Sequence, residues 1–91
     1  MDASTTVRRS SKQLSTSLGE EAVVLQLDRG IYYGLDPVGA RVWDLLAEPR
    51  SVSQLCDTIC AEYEVDPATC ERDVTALLRR LIAEGLAETP E

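Results

Sequence analysis

The 91-residue chain contains no histidine and no phenylalanine, and its single tryptophan leaves an aliphatic core as the expectation. The absence of histidine removes the commonest general base, the Ser-His and Cys-His nucleophile pairs, and most zinc sites. No apolar run approaches the roughly 18 residues that a membrane-spanning helix requires. The N-terminal stretch MDASTTVRRSSKQ also lacks the apolar segment of a secretory signal. We therefore expect a cytoplasmic protein that is not an enzyme and has no membrane partner.

Basic residues are also scarce, because 9 Lys and Arg stand against 16 Asp and Glu, a formal net charge of −7. Nucleic-acid binding depends on clustered basic side chains that contact phosphates. This charge balance therefore argues against a nucleic-acid partner. Arg72, Arg79 and Arg80 on the third predicted helix keep a winged-helix DNA-binding regulator as an alternative, although acidic residues are interspersed with them.

Cysteine is present at three positions, Cys56, Cys60 and Cys70. An odd count in a chain without a secretory signal argues against a disulfide framework. The spacing contains no C-x-x-C pair and offers no fourth ligand for zinc or an iron–sulfur cluster. We predict that these thiols pack as small apolar side chains, with no metal and no cofactor.

The composition, 44% apolar and 27% charged, is that of a folded domain. We expect one domain over residues 1–91, with residues 1–4 and 89–91 frayed. Alternating patterns predict strands at residues 5–9, 13–17, 22–27 and 31–35. Asp28-Arg29-Gly30 is predicted to form a three-residue hairpin turn, with Gly30 at positive φ.

This turn sets a predicted register for the hairpin. Leu25 is expected opposite Tyr33 and Leu27 opposite Ile31, with Tyr33 toward the helices and Tyr32 away from them. In the strand at residues 22–27, the side chains predicted to face the helices are Val23, Leu25 and Leu27.

N-cap signals predict three helices. They begin at Asp36-Pro37, at Ser51 with its capping-box partner Gln54, and at Asp66-Pro67. Pro49 ends the first helix near residue 47, and Gly85 ends the third, before a short extended stretch at residues 86–88. We predict an α+β, winged-helix-like fold, in which a small three-stranded antiparallel sheet packs against three helices.

The stretch GIYYGLDPVGARVWDLL resembles the G-x-Y-x-x-L-N-x-x-G-A-x-x-W-x-L-L pattern of the PqqD-like proteins. The later stretch SVSQLCDTICAEYEVDPATCERDVTALLRRLIAEGLAE is similar to the remainder of that family's pattern. The resemblance covers residues 23–88. Asp36 replaces the asparagine frequent in the family, and either residue caps a helix.

The resemblance implies a RiPP precursor peptide recognition element, a non-catalytic module that binds the leader segment of a ribosomally made peptide. It implies that the leader adds to the third strand of the sheet and lies against the third helix. The most similar members serve split lasso-peptide systems, where the partners are a leader peptidase of the cysteine-protease type and a cyclase. A PqqD-type chaperone for a radical SAM enzyme in quinone cofactor synthesis is the alternative.

Strand addition supplies main-chain hydrogen bonds, while pockets for alternate side chains supply selectivity. Leu77 borders the apolar arc of the third helix, where its side chain contacts either the bound leader peptide (the guest) or the core. Asp73 and Arg80 share its flank and are expected to set the polarity of the guest. The predicted peptide-binding residues are Arg29, Gly30, Ile31, Tyr32, Tyr33, Gly34 and Leu35 on the strand, and Asp73, Val74, Leu77, Arg80, Leu81 and Glu84 on the helix.

Overall fold

Two small antiparallel sheets and three helices make up the fold in the computed structural model, which describes residues 1–90. The class is α+β, as predicted. The elements in chain order are β1 (Thr6–Arg9), β2 (Gln13–Leu18), β3 (Glu21–Gln26), β4 (Ile31–Leu35), α1 (Pro37–Leu45), β5 (Arg50–Ser51), α2 (Val52–Glu62), α3 (Pro67–Ala83) and β6 (Ala87–Glu88).

The larger sheet has the strand order β2-β3-β4, with every pairing antiparallel. The smaller sheet, in the order β5-β1-β6, joins the start of the chain to its end. It was not anticipated as a separate sheet, because β5 is only two residues long and carries no strand pattern of its own. Its pairing with β1 is extended by a hydrogen bond from Val52 N–H to Thr5 O at 3.0 Å.

The β3–β4 hairpin differs from its predicted register by one residue. Val24 lies opposite Tyr33, in the position predicted for Leu25. The connection has four residues, 27–30, and Gly30 N–H donates to Gln26 O at 2.8 Å across it. Gly30 has a φ of 66°, which confirms the left-handed conformation expected there.

The shifted register exchanges the two faces of β3, so the predicted set of inward side chains was wrong. Strand alternation, with Val23, Leu25 and Leu27 facing the helices, predicts Gln26 on the outer face. Gln26 is buried at 4% exposure, and its Oε1 atom accepts a hydrogen bond from Arg29 N–H at 2.8 Å. This bond satisfies a buried acceptor that would otherwise be costly. The residues that face the helices from β3 are Ala22, Val24 and Gln26, rather than Val23, Leu25 and Leu27.

The helix boundaries follow the predicted caps. Asp36 accepts a hydrogen bond from Gly39 N–H, Ser51 and Gln54 form both bonds of a capping box, and Asp66 accepts from Thr69 N–H. Each cap satisfies backbone donors that a helix leaves unpaired at its start.

The end of α3 fixes the direction in which the chain leaves the helix. Gly85 adopts a φ of 75°, and Leu86 N–H donates to Leu81 O at 2.8 Å, which is the bond pattern of a Schellman motif. Leu86 is thereby folded back into the core, where it is 1% exposed. The same core surrounds Trp43 and, apart from Cys70, is otherwise aliphatic. Among residues 1–90, no helix combines the length and the apolar character needed to cross a bilayer.

Candidate functional site

A groove of about 460 Å³ separates the end of β4 from α3. One wall is formed by the end of β4 and the residue that caps α1, and the other wall is formed by α3. The base is formed by α1, by the end of α2 and by the segment that leads into α3. The residues that line it are Gly34, Leu35, Asp36, Val38, Gly39, Val42, Ile59, Val65, Thr69, Cys70, Asp73, Val74, Leu77 and Arg80.

Part of the predicted peptide-binding set meets in this groove. The predicted residues that line it are Gly34, Leu35, Asp73, Val74, Leu77 and Arg80. The predicted residues outside its lining are Arg29, Gly30, Ile31, Tyr32, Tyr33, Leu81 and Glu84. The second group lies in the β3–β4 connection, along β4 and at the end of α3, so the groove and the open strand edge are adjacent parts of one surface.

The position of β4 at the edge of its sheet determines which backbone groups are unpaired. Leu27 N–H, just beyond β3, donates to Lys12 O at 3.0 Å. Leu25, Val23 and Glu21, at every second position before Leu27, therefore also form their hydrogen bonds with β2. Hydrogen-bonded pairs alternate along an antiparallel ladder, and the intervening β3 residues therefore bond to β4 at Ile31, Tyr33 and Leu35. Tyr32 and Gly34 consequently turn their N–H and C=O groups toward the open edge.

Two residues of α3 that line the groove differ in how far they are exposed. Leu77 is half-buried and packs against the core, while Val74 is 3% exposed and belongs to the core itself. Leu77 therefore presents part of its side chain to the groove while Val74 supports the wall from behind. Leu81 is also buried, at 2% exposure, and lies one turn further along the core face.

The charged side chains on this flank are exposed. Asp73 lies 3.4 Å from the guanidinium of Arg72, in a pair whose side chains are 68% and 75% exposed. Arg80 makes no ion pair with any residue that the structure describes. Exposed pairs of this kind contribute little to stability, so both side chains remain available to a ligand in the groove.

A hydrogen-bond network joins β4 to the end of α3 beside the groove. The phenol of Tyr33 donates to Oε2 of Glu84 at 2.5 Å. Arg29 donates from Nη2 to the backbone carbonyl of Glu84 at 2.7 Å, and its Nη1 lies 3.5 Å from the same carboxylate. The hydrogen bond to Glu84 raises the pKa of Tyr33 above its ordinary value. Arg29, Tyr33 and Glu84 thus brace the hairpin against the helix.

The base of the groove was not predicted from the sequence. Val38 and Val42 lie on α1 and Val65 lies just before α3, and no pattern within either segment shows which groove its side chains will line. The glycine at position 39 was the only hint of this base in the sequence. A Cβ atom there would lie 3.1 Å from Oδ1 of Asp36, the atom that caps α1. Glycine therefore leaves room for the cap and for the groove.

Cys70 forms part of the lining and is a buried thiol. It is 4% exposed, and its Sγ lies 3.8 Å from the backbone carbonyl of Cys56. Burial raises the pKa of Cys70 to about 12. A protonated thiol is a poor nucleophile and a poor metal ligand. Within residues 1–90, no three acidic or thiol side chains are grouped as a metal site would require.

The fold and the groove define a small winged-helix-like α+β domain with an open sheet edge. The family model described as coenzyme PQQ synthesis protein D (PqqD) matches residues 21–87, and the chain belongs to this family. A comparison with curated proteins finds no match.

Two solved structures are similar to this chain. TbiB1 in complex with the TbiA(beta) leader peptide is 43% identical, with a TM-score of 0.84, over 89% of this chain and 94% of that chain. A lasso peptide synthetase B1 complexed with the leader peptide is 26% identical, with a TM-score of 0.80, over 90% of this chain and 96% of that chain. Both similarities extend over nearly the whole domain, which confirms the predicted family and fold.

Proposed function

We propose that this chain is a non-catalytic module that captures the leader segment of a ribosomally made precursor peptide, of the lasso-peptide type. The leader binds in extended form beside β4 and is presented there to a leader peptidase of the cysteine-protease type and to a cyclase. The module acts in the cytoplasm, where such precursors are translated. The two similar structures, both complexes with a leader peptide, support this proposal.

The single observation that carries the proposal is the open edge of β4 beside an apolar groove. Tyr32 and Gly34 each direct one N–H donor and one C=O acceptor away from β3. An added strand satisfies all four groups with its own backbone, whatever its sequence. The bound leader thereby extends the β2-β3-β4 sheet by one strand.

Selectivity in this proposal comes from the side chains of the guest. Alternate residues of an extended peptide point to opposite faces of the sheet, and one set is directed into the groove. The base and the exposed part of Leu77 offer an apolar surface to that set, which favours aliphatic or aromatic anchors in the leader. Burial of one such side chain contributes roughly 1.5–3 kcal/mol.

The charged flank of α3 sets the direction of the guest. Asp73 and Arg80 lie two turns apart, with opposite charges on the same side of the helix. A leader that places a basic residue near Asp73 and an acidic residue near Arg80 is favoured over the reversed strand. Because both side chains are exposed, this preference is screened by salt.

The experiment is an isothermal titration of the purified chain in metal-free buffer. The titrants are the TbiA(beta) leader peptide and, as a control, a scrambled version of that peptide. We expect binding in the micromolar range or tighter for the leader and none for the scramble. Equal binding of both peptides would contradict a selective groove. If neither binds, the titration is repeated with the leader of a precursor encoded beside this chain's own gene, and failure there would overturn the proposal.

A PqqD-type chaperone of a radical SAM enzyme is the second candidate, and the PqqD family match supports it. The two candidates differ in the peptide that is bound and in the enzyme that receives it. The precursor of the quinone cofactor is therefore the competing titrant. Tighter binding of that precursor than of any lasso leader would favour the second candidate.

A further inference from the structure

Two cysteines lie close together where α2 ends and α3 begins. Cys60 stands two residues before the end of α2, and Cys70 stands three residues after the start of α3. Only four residues, 63–66, connect these helices, which pack against each other. A connection this short makes neighbouring helices antiparallel. Cys60 and Cys70 therefore belong to facing turns of the two helices.

The sulfur of Cys70 reaches the turn of α2 that carries Cys60. Its Sγ atom lies 3.8 Å from the backbone carbonyl of Cys56. Within α2, that carbonyl accepts the N–H of Cys60, and the side chain of Cys60 is directed back over the same turn. The thiols of Cys60 and Cys70 are within hydrogen-bonding reach of each other. The thiol of Cys56 also contacts Cys70 and is the competing partner.

The two facing thiols differ in their access to solvent. Cys60 is half-buried and lines a surface pocket of about 250 Å³ between α2 and the start of α3. Cys70 is buried and lines the groove. A small oxidant therefore reaches Cys60 first, and Cys70 reacts only with its oxidised neighbour.

We propose that Cys60 and Cys70 form a reversible disulfide on exposure to hydrogen peroxide. The Cys60 thiolate attacks one peroxide oxygen, so that an S–O bond forms and the O–O bond breaks. The other oxygen leaves as hydroxide and takes up the proton that the thiol released. The Cys70 sulfur then attacks the sulfenic sulfur of Cys60, the S–S bond forms, the S–O bond breaks, and water leaves with the Cys70 proton. Two thiols are oxidised to one disulfide, and one peroxide is reduced to two waters.

The contact between the two thiols compensates for the low acidity of Cys70. Burial raises the pKa of Cys70 to about 12, so its thiol is a poor nucleophile toward dissolved reagents. A sulfenic sulfur held beside it needs no encounter in solution, which gives the second step the advantage of an intramolecular reaction. In a reducing compartment such a disulfide is transient, as is typical of redox-sensing pairs.

The disulfide acts on the groove through the first turns of α3. The S–S bond, about 2.05 Å long, holds the sulfur atoms closer than any non-bonded contact. Cys70 therefore shifts toward α2, and its neighbours in the groove lining, Thr69 and Asp73, shift with it. The groove then loses the shape that fits the leader in the reduced chain. This consequence rests on the proposed function, and the oxidised chain should bind the leader about threefold or more weakly.

The test treats the purified full chain with a small excess of hydrogen peroxide and maps its cysteines under non-reducing conditions. Endoproteinase cleavage before Asp57 and Asp66 places the three cysteines on separate fragments. We expect the fragments of Cys60 and Cys70 to be joined, Cys56 to keep its free thiol, and dithiothreitol to reverse the linkage. Retention of all three free thiols would overturn the proposal, as would a linkage through Cys56.

Two variants and a titration complete the test. Cys60→Ala should abolish the linkage, while Cys56→Ala, the matched control one turn earlier on the same helix, should oxidise as the wild type does. Circular dichroism checks the fold of both variants.

Leader titration then compares the reduced and oxidised wild type, and peroxide should leave the affinity of Cys60→Ala unchanged. Equal affinities of the reduced and oxidised wild type would overturn the effect on the groove. If neither form binds any leader, the proposed function fails, whereas the mapping still decides whether the disulfide forms.

Discussion

The phenol of Tyr33 on β4 donates a 2.5 Å hydrogen bond to the carboxylate of Glu84, the residue that caps the end of α3. This bond links the edge strand directly to the helix that forms the opposite wall of the groove. Arg29 adds a second link to Glu84 from the hairpin turn. Since the Glu84 carboxylate is already engaged, we assign it a positioning role, in which it holds β4 at a fixed distance from α3.

Replacing Tyr33 by Phe removes the link and keeps the ring. The edge strand then has greater freedom relative to α3, and ordering it again on binding weakens leader affinity by about twofold to fivefold. Isothermal titration measures the affinity. Glu84→Gln retains an acceptor for the phenol and should lose less than Tyr33→Phe. An affinity unchanged in both variants would show that the link does not position the strand.

Ionisation of the same phenol gives a spectroscopic prediction. The hydrogen bond to Glu84 raises the pKa of Tyr33 above 10.0, because it stabilises the neutral phenol and places a carboxylate beside the phenolate. A group whose pKa is raised by folding contributes stability below its unfolded pKa, and this contribution is lost as the pH rises through the folded value. In an ultraviolet titration, the absorbance change that is lost in Tyr33→Phe should therefore have its midpoint above the ordinary pKa of a tyrosine.

The fold was largely predictable, because caps and periodicity are local signals. Asp36, Ser51 and Asp66 begin helices through bonds to residues three positions away, which the sequence shows directly. The hairpin register was not predictable, because it depends on a polar residue, Gln26, that is buried only when its amide folds back onto Arg29. The connection is one residue longer than the predicted turn, and this single residue exchanges the two faces of β3.

The groove was predictable in part for the same reason. Its α3 wall follows from the spacing of Leu77 with Asp73 and Arg80 on one helix. Its base joins Val38 from α1 with Val65, which precedes α3, and only the tertiary packing brings these residues together.

Leu77→Glu tests the α3 wall of the groove. A carboxylate placed against the apolar base should weaken leader binding about tenfold or more, since burying a charge without a partner is costly. The side chain is only half-buried, so the domain should remain folded. Ala76→Glu is the matched control, because it introduces the same group at the adjacent, exposed position of the same helix. Equal losses in the two variants would indicate a general charge effect rather than a groove contact.

The buried thiol of Cys70 should resist alkylation. Its pKa is raised to about 12 by burial, so it stays protonated near neutral and mildly alkaline pH. Brief treatment with iodoacetamide followed by peptide mapping should leave Cys70 unmodified in the folded protein and alkylate it in denaturant. Rapid modification of the folded protein would show that the base of the groove opens to solvent. Bound leader peptide should slow any residual reaction, because Cys70 lines the groove.

Gly34→Pro tests strand addition to β4. The Gly34 N–H points to the open edge, so proline at this position removes a donor that would bind the leader peptide. It removes no hydrogen bond between β3 and β4. Edge strands tolerate proline at such positions. The same change at Tyr33 would instead remove a ladder bond to β3 and endanger the hairpin. We therefore expect Gly34→Pro to keep the wild-type circular dichroism spectrum while leader affinity falls about fivefold or more.

Gly34→Ala is the control for the proline substitution. A Cβ atom at this position meets no atom within 4 Å, and in a strand it projects from the face of the sheet rather than from its edge. Alanine keeps the N–H donor, so its affinity for the leader should match that of the wild type in the same titration. Wild-type affinity in the folded proline variant would show that the leader does not pair with the backbone of β4. A loss in the alanine variant as large as that in the proline variant would show that the guest contacts the face of the sheet instead.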